Sequence, residues 1–239
     1  MALPAIPQPA STVVLLRPDR DQGFEIYLNR RPDKMDTYAG VYVFPGGRVE
    51  ESDCSTAMIS LTRGVTPAEA QQKLGAAEAP EVCLGYWVAA VRELFEEVGI
   101  HFFLRQGESQ ADLSSQPIVE GVGTKRSALQ KGKIGFAELL SSEGLICDLT
   151  RLTYFFHRIT PEHYPARFDT RFYLATLPPD QSPLDASEEV SESLWISPCV
   201  ALDRCQADDF RMMPPTLMVL RTLSNHDSWE SLRASFNLR

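Results

Sequence analysis

Apolar and polar positions along the chain alternate in a way that separates short strands from longer helices. Residues 12–16 and 25–28 are β-prone runs on either side of a polar, turn-rich stretch, which predicts a hairpin. A third strand over 41–44 stops at Pro45-Gly46-Gly47. Residues 100–104, 152–159, 169–177 and 193–196 are further strand candidates, and 135–142, 197–205, 214–224 and 228–236 read as helices. Between Asp53 and Cys83 lies a polar, Ala-rich stretch in which Thr66, Pro67 and Glu69 take the N-cap, N1 and N3 places of a helix. Gly, Ser and Gln dominate 106–132, which predicts a long surface loop. Pro4, Pro7 and Pro9 make the first ten residues an extended leader, with order expected from about Ser11. Strands mixed with helices predict an α/β sandwich.

The longest helix, 85–98, ends at Gly99 and carries charge in unexpected places. On a helical wheel Trp87, Val91, Leu94 and Val98 form one apolar stripe, while Glu93, Glu96 and Glu97 share another face. Like charges at i, i+3 and i+4 destabilise a helix by roughly 0.2–0.5 kcal/mol per pair. The negative end of the helix dipole adds up to about 1 kcal/mol against Glu96 and Glu97. Arg92 can pair with Glu96, and Ala89 and Ala90 leave room for a ligand to approach. A solvated acidic face is one explanation. A hard divalent cation, Mg²⁺ or Mn²⁺, is the other, since it takes carboxylate oxygens and would reverse the repulsion.

Composition narrows the options. The chain has 239 residues, 44% hydrophobic and 23% charged, enough for one enlarged domain with a substantial core. Its net charge of -9 argues against nucleic acid or an anionic membrane as partner. Five cysteines without a C-x-x-C pair suggest neither a disulfide framework nor a zinc site, so a reducing, cytoplasmic setting is expected. The first residues show no basic segment followed by an apolar one, and no run reaches the roughly 18 apolar residues of a membrane span. The last three, Asn237-Leu238-Arg239, do not form a peroxisomal address.

Arg92-Glu93-Leu94-Phe95-Glu96-Glu97-Val98-Gly99-Ile100 matches every specified position of the R-E-U-x-E-E-x-G-U half of the Nudix box, where U is a bulky aliphatic residue. Upstream, residues 44–50 (Phe-Pro-Gly-Gly-Arg-Val-Glu) resemble the strand-to-loop entry of that box. Two departures stand out. Asp53 occupies the place of a glutamate, and the 38 residues 54–91 stand where the box takes seven, leaving 31 extra. A box split in this way resembles the coenzyme A diphosphatase subgroup (Nudix-type motif 19). So do Arg167-Phe168-Asp169-Thr170-Arg171-Phe172-Tyr173, Glu188-Glu189 before Trp195, and Met213-Pro214-Pro215.

The resemblance implies a Nudix-type α/β/α sandwich with a mixed sheet. One domain would run over 11–239, with a helical insertion at about 54–84 and C-terminal helices at about 197–236. It also implies metal-dependent hydrolysis of a nucleoside-diphosphate-linked substrate, coenzyme A or acyl-coenzyme A foremost. ADP-ribose or a nucleotide sugar, and a non-catalytic nucleotide-binding module, are the alternatives. Glu93, Glu96 and Glu97, with the Gly46 carbonyl, would bind Mg²⁺ or Mn²⁺, and Arg92 would hold a glutamate in place. The general base stays open between Glu93 and Glu189, or its neighbour Glu188. Arg48, Arg167 and Arg171 are candidate phosphate contacts, although a solvated strand edge explains the last two as well. A homodimer is compatible with the family. His101, His157 and His163 lack metal-ligand spacing, residues 154–156 suit a core, and Cys83 suits a packed thiol.

Overall fold

The computed structural model describes residues 4–34, 39–107, 119–184, 191–207 and 209–238, with backbone only for 119–121. Five strands form the spine of the main sheet: β1 (Gln8–Pro18), β2 (Phe24–Arg30), β8 (Thr153–Ile159), β9 (Phe168–Thr176) and β10 (Glu192–Ile196), in the order β10-β2-β1-β9-β8. Two short strands complete it, β3 (Tyr42–Val43) on β2 and β4 (Gly46–Arg48) on β1. The sheet is mixed, because β1 runs parallel to β9 and antiparallel to β2 and β4. A second sheet joins β5 (Thr62–Arg63), β7 (Leu145–Asp148) and β6 (Phe103–Arg105).

β1 shows how the layers arise. Its apolar run is buried on both faces: Val13 and Leu15 point into one core, Val14 and Leu16 into the other. The first core is closed by α3 (Pro80–Val98), α4 (Val119–Gln130) and α5 (Phe136–Ser142), through Trp87, Val91, Leu94, Val122, Leu129 and Leu139. The second is closed by α6 (Pro198–Gln206), α7 (Pro214–Leu223) and α8 (Trp229–Phe236), through Ala201, Val219, Leu220, Trp229 and Leu232. The expected α/β/α sandwich is what the chain forms. No helix among the described residues is long and apolar enough to cross a membrane.

The hairpin of β1 and β2 forms as expected, with Asp19 accepting from the N–H groups of Asp21 and Gly23 in the turn. Several boundaries differ. Order in β1 begins at Gln8, not Ser11. Pro9 is tolerated because its nitrogen faces Val49 at the end of the β4 ladder, where its carbonyl still accepts from the Val49 N–H. The strand expected at 100–104 is Phe103–Arg105, and the helix expected at 85–98 starts at Pro80, a suitable N1 residue. Within 106–132, Val119–Gln130 is helical rather than loop, despite Gly121 and Gly123, because Val122 and Leu129 pack into the core. Leu145–Asp148, with no element expected, is a strand between β5 and β6.

The segment expected to be helical contains α1 (Thr56–Ile59) and α2 (Pro67–Leu74), but also β5. The capping box of α2 is present: Thr66 Oγ1 accepts from the Glu69 N–H, and the Glu69 carboxylate accepts from the Thr66 N–H. This segment packs against α3 through Met58, Leu61 and Ala70.

Candidate functional site

α3 is a core helix, not a half-exposed one. From Cys83 to Val98 every residue is buried except Glu93, Glu96 and Glu97, so beyond the first turn of the helix the three carboxylates are its opening to solvent. Ala89 and Ala90 do not provide the expected room. Both are fully buried. Gly99, with φ 77°, ends the helix by donating its N–H to the Phe95 carbonyl.

Arg92 organises the acidic group from below. It is 3% exposed, and each of its five N–H donors has an acceptor. Nε and Nη2 grip the two oxygens of Asp53 at 2.9 Å each, Nη2 also donates to the Arg48 carbonyl at 2.9 Å, and Nη1 donates to Glu93 at 2.8 Å and Glu96 at 3.2 Å. The guanidinium is held protonated: burial works against the charge, but the hydrogen bonds and charge of Asp53 outweigh it. The shorter side chain at 53 thus serves as the anchor of Arg92, and the Glu50 N–H at 2.9 Å fixes it further. Arg92 thus meets both Glu93 and Glu96.

The opposite wall is the glycine pair. The Gly46 N–H donates to Glu97 Oε2 at 3.1 Å. A methyl at Gly46 would overlap the Ser11 carbonyl across the β1–β4 ladder, and one at Gly47 would overlap the Glu93 carboxylate. The missing Cβ atoms therefore let β4 lie against the acidic window. Gly46–Arg48 is itself a strand rather than the stop expected there, because β1 supplies its partners.

Burial pushes Glu93 up to about 7, with Arg92 opposing and Glu96 adding to the shift. Burial also raises Glu96, against Arg92. Two largely desolvated carboxylates share one arginine that Asp53 also pairs with, an arrangement able to take up further positive charge. No three His, Cys, Asp or Glu side chains converge into a ready-made cage among the described residues. The available donors are nevertheless all hard oxygens on one surface, the donor set of Mg²⁺ or Mn²⁺.

Other expected residues lie elsewhere. Arg48 is exposed and its Nη1 donates to Gln8 at 3.3 Å. Arg167 bonds the carbonyls of Thr160 (2.9 Å) and Ala5 (2.7 Å), tying the β8–β9 connection to the start of the chain. Arg171 is buried over the Tyr86 ring, 2.9 Å from Asp169, which also meets His157 at 2.7 Å. Ser11 separates Arg171 from Gly47 in the sheet, so Arg171 sits two strands from the glycine wall. His101 stacks on Phe103, and burial pulls its pKa down to about 4. Cys83 is fully buried.

Glu188 and Glu189 lie outside the described residues. The chain before them is fixed by the Leu184 N–H to the Val98 carbonyl, and the chain after them by the Ser191 N–H to the Arg30 carbonyl. Arg126 and Gln130, which bond the carbonyls at the end of α3, were invisible in a Gly-rich stretch. Their only signal is the spacing of Val122, Arg126 and Leu129 on one helix face.

Residues 6–223 match the family described as the NUDT19 Nudix domain. The chain belongs to that family. Among its relatives, the acyl-coenzyme A diphosphatase NUDT19 of Gallus gallus is 27% identical over 87% of this chain and 63% of its own length. The putative nudix hydrolase 7 of Caenorhabditis elegans is 30% identical over 79% of this chain and 52% of its own. The chain therefore spans about half to two thirds of the length of these curated relatives. A crystal structure of a NUDIX hydrolase from Alicyclobacillus acidocaldarius superposes with a TM-score of 0.77 at 26% identity, covering 97% of this chain and 96% of that one. The acidic window on α3 and the Gly46-Gly47 wall lie within the matched residues, and the stretch between them holds α1, β5 and α2.

Proposed function

We propose that the protein is a metal-dependent Nudix pyrophosphohydrolase that cleaves coenzyme A or an acyl-coenzyme A at its diphosphate. The observation that carries the reading is the window of Glu93, Glu96 and Glu97 in a helix that is otherwise buried from Cys83 to Val98. Kinship with acyl-coenzyme A diphosphatases supports the choice of substrate.

Glu93, Glu96 and Glu97, with the Gly46 carbonyl, would hold Mg²⁺ or Mn²⁺. Bound there, the ions would neutralise a multiply anionic diphosphate that a chain of net charge -9 would otherwise repel, and would make its phosphorus more electrophilic. Arg92 keeps Glu93 and Glu96 aimed at the window, and Asp53 keeps Arg92 in place. Water attacks one phosphorus, the bond to the bridging oxygen breaks, and a phosphomonoester leaves. Cleavage of coenzyme A gives an adenosine bisphosphate and a phosphopantetheine. The water's proton passes to a carboxylate, with Glu93 one candidate and Glu189 or Glu188 the other. Arg48, Arg167 and Arg171 stand as phosphate contacts of lower rank, since Arg167 and Arg171 already have protein partners. Five unbridged cysteines favour a cytoplasmic setting.

A panel of coenzyme A, acyl-coenzyme A esters, ADP-ribose, nucleotide sugars and NADH, each with Mg²⁺ or Mn²⁺ and with a chelator, tests this reading. Metal-dependent release of phosphopantetheine from coenzyme A is expected. Turnover of another diphosphate while coenzyme A stays intact would reject the substrate assignment, and turnover in chelator would reject the metal.

A further inference from the structure

The last turn of α3 concentrates negative charge. It carries Glu96 and Glu97, its terminal carbonyls carry the negative end of the helix dipole, and it contains no basic residue. The compensation comes from another element. Val122 and Leu129 of α4 enter the α3-side core, and the spacing i, i+4, i+7, i+8 places Arg126 and Gln130 on the same face. Arg126 Nε donates to the Phe95 carbonyl at 2.8 Å and its Nη2 to the Glu97 carbonyl at 3.2 Å. Gln130 Nε2 donates to the Glu96 carbonyl at 2.6 Å. Three consecutive carbonyls are thereby satisfied from outside the helix. Lys125, through Ser142 and Glu143, ties α4 to α5.

These donors grip the backbone of Phe95 and of the two glutamates, while Glu96 and Glu97 keep their carboxylates for Arg92 and Gly46. We propose that Arg126 and Gln130 are positioning residues that fix the last turn of α3, so that Glu96 and Glu97 present their carboxylates to a divalent cation. The proposal rests on the metal site described above. In this role both act through the helix backbone and not as ligands. Charge and geometry act in opposite directions here. A fixed guanidinium near the ligands repels a second cation, whereas a fixed helix end favours its binding. Substitutions that remove each effect separately therefore differ in sign.

The test is Mn²⁺ titration of the full chain, with free Mn²⁺ read by electron paramagnetic resonance, alongside the thermal midpoint in chelator. Gln130→Ala changes no charge and sits at an exposed position, so it keeps the fold. It should weaken Mn²⁺ binding roughly threefold, the loss of one hydrogen bond. Arg126→Lys, which keeps the repelling charge but not the two-point grip, should weaken it roughly tenfold, and Arg126→Met, which loses the grip and the repulsion together, should fall between wild type and Arg126→Lys. Unchanged affinity in Gln130→Ala and Arg126→Met, with a lowered thermal midpoint, would reduce both residues to a structural cap and overturn the proposal. Tighter binding by Arg126→Met would overturn it as well, because charge would then outweigh geometry. Absence of Mn²⁺ binding in the wild-type chain would be a different failure, that of the metal site itself, and the proposal would fall with it.

Discussion

At the scale of single residues, the acidic window depends on groups of quite different legibility. The three glutamates could be read from their spacing, because repulsion at a helix C-terminus asks for an explanation. Asp53 showed only as a departure from a pattern. Its partner, Arg92, lies 39 residues away, and nothing local brings them together. Asp53→Asn should remove the two-point carboxylate grip on a buried guanidinium, leaving it Glu93 and Glu96, and lower stability by about 2 kcal/mol, read as an earlier urea midpoint. Gly47→Ala should push the Glu93 carboxylate off its seat, cutting both turnover and Mn²⁺ affinity roughly tenfold or more while the protein stays folded. Glu93 also sets a pH dependence. Its folded value of about 7 lies above the ordinary carboxylate value of 4.5, so the metal-free folded protein keeps a proton that the unfolded chain releases. Stability in chelator should therefore be full below about pH 4.5 and fall as pH rises through about 7, by about 3 kcal/mol. Glu93→Gln should flatten that decline in urea titrations, and equal slopes in the two proteins would contradict it.

At the scale of elements, local chemistry announced itself where it was sufficient. The β1–β2 hairpin and the Thr66–Glu69 capping box needed no tertiary information. Thr66→Ala should lower the thermal midpoint by the equivalent of about 1 kcal/mol and leave turnover intact, because α2 supports α3 far from the carboxylates. A loss of turnover larger than the loss of stability would give the extra segment a part in the chemistry. α4 and β4 were hidden for the same physical reason. Glycine-rich sequence favours loops when considered alone, and here packing and pairing override it. In α4 the override comes from Val122 and Leu129, and in β4 from the ladder with β1.

At the scale of the whole molecule, the sandwich could be inferred from strands mixed with helices along the chain, and the family from the box. The order of the sheet could not, since the parallel pairing of β1 with β9 joins residues about 160 positions apart. The net charge of -9 first spoke against an anionic ligand. In the folded chain part of that charge gathers at a single opening, where cations can reverse it. The most direct test of this account is turnover by Glu97→Gln on whichever diphosphate of the panel the wild type cleaves best. The substitution keeps the size of the side chain and an oxygen to accept from the Gly46 N–H, so the fold and thermal midpoint should persist. Turnover should fall roughly a hundredfold or more. A variant that turns over like the wild type would contradict the assignment of α3 as the catalytic metal site.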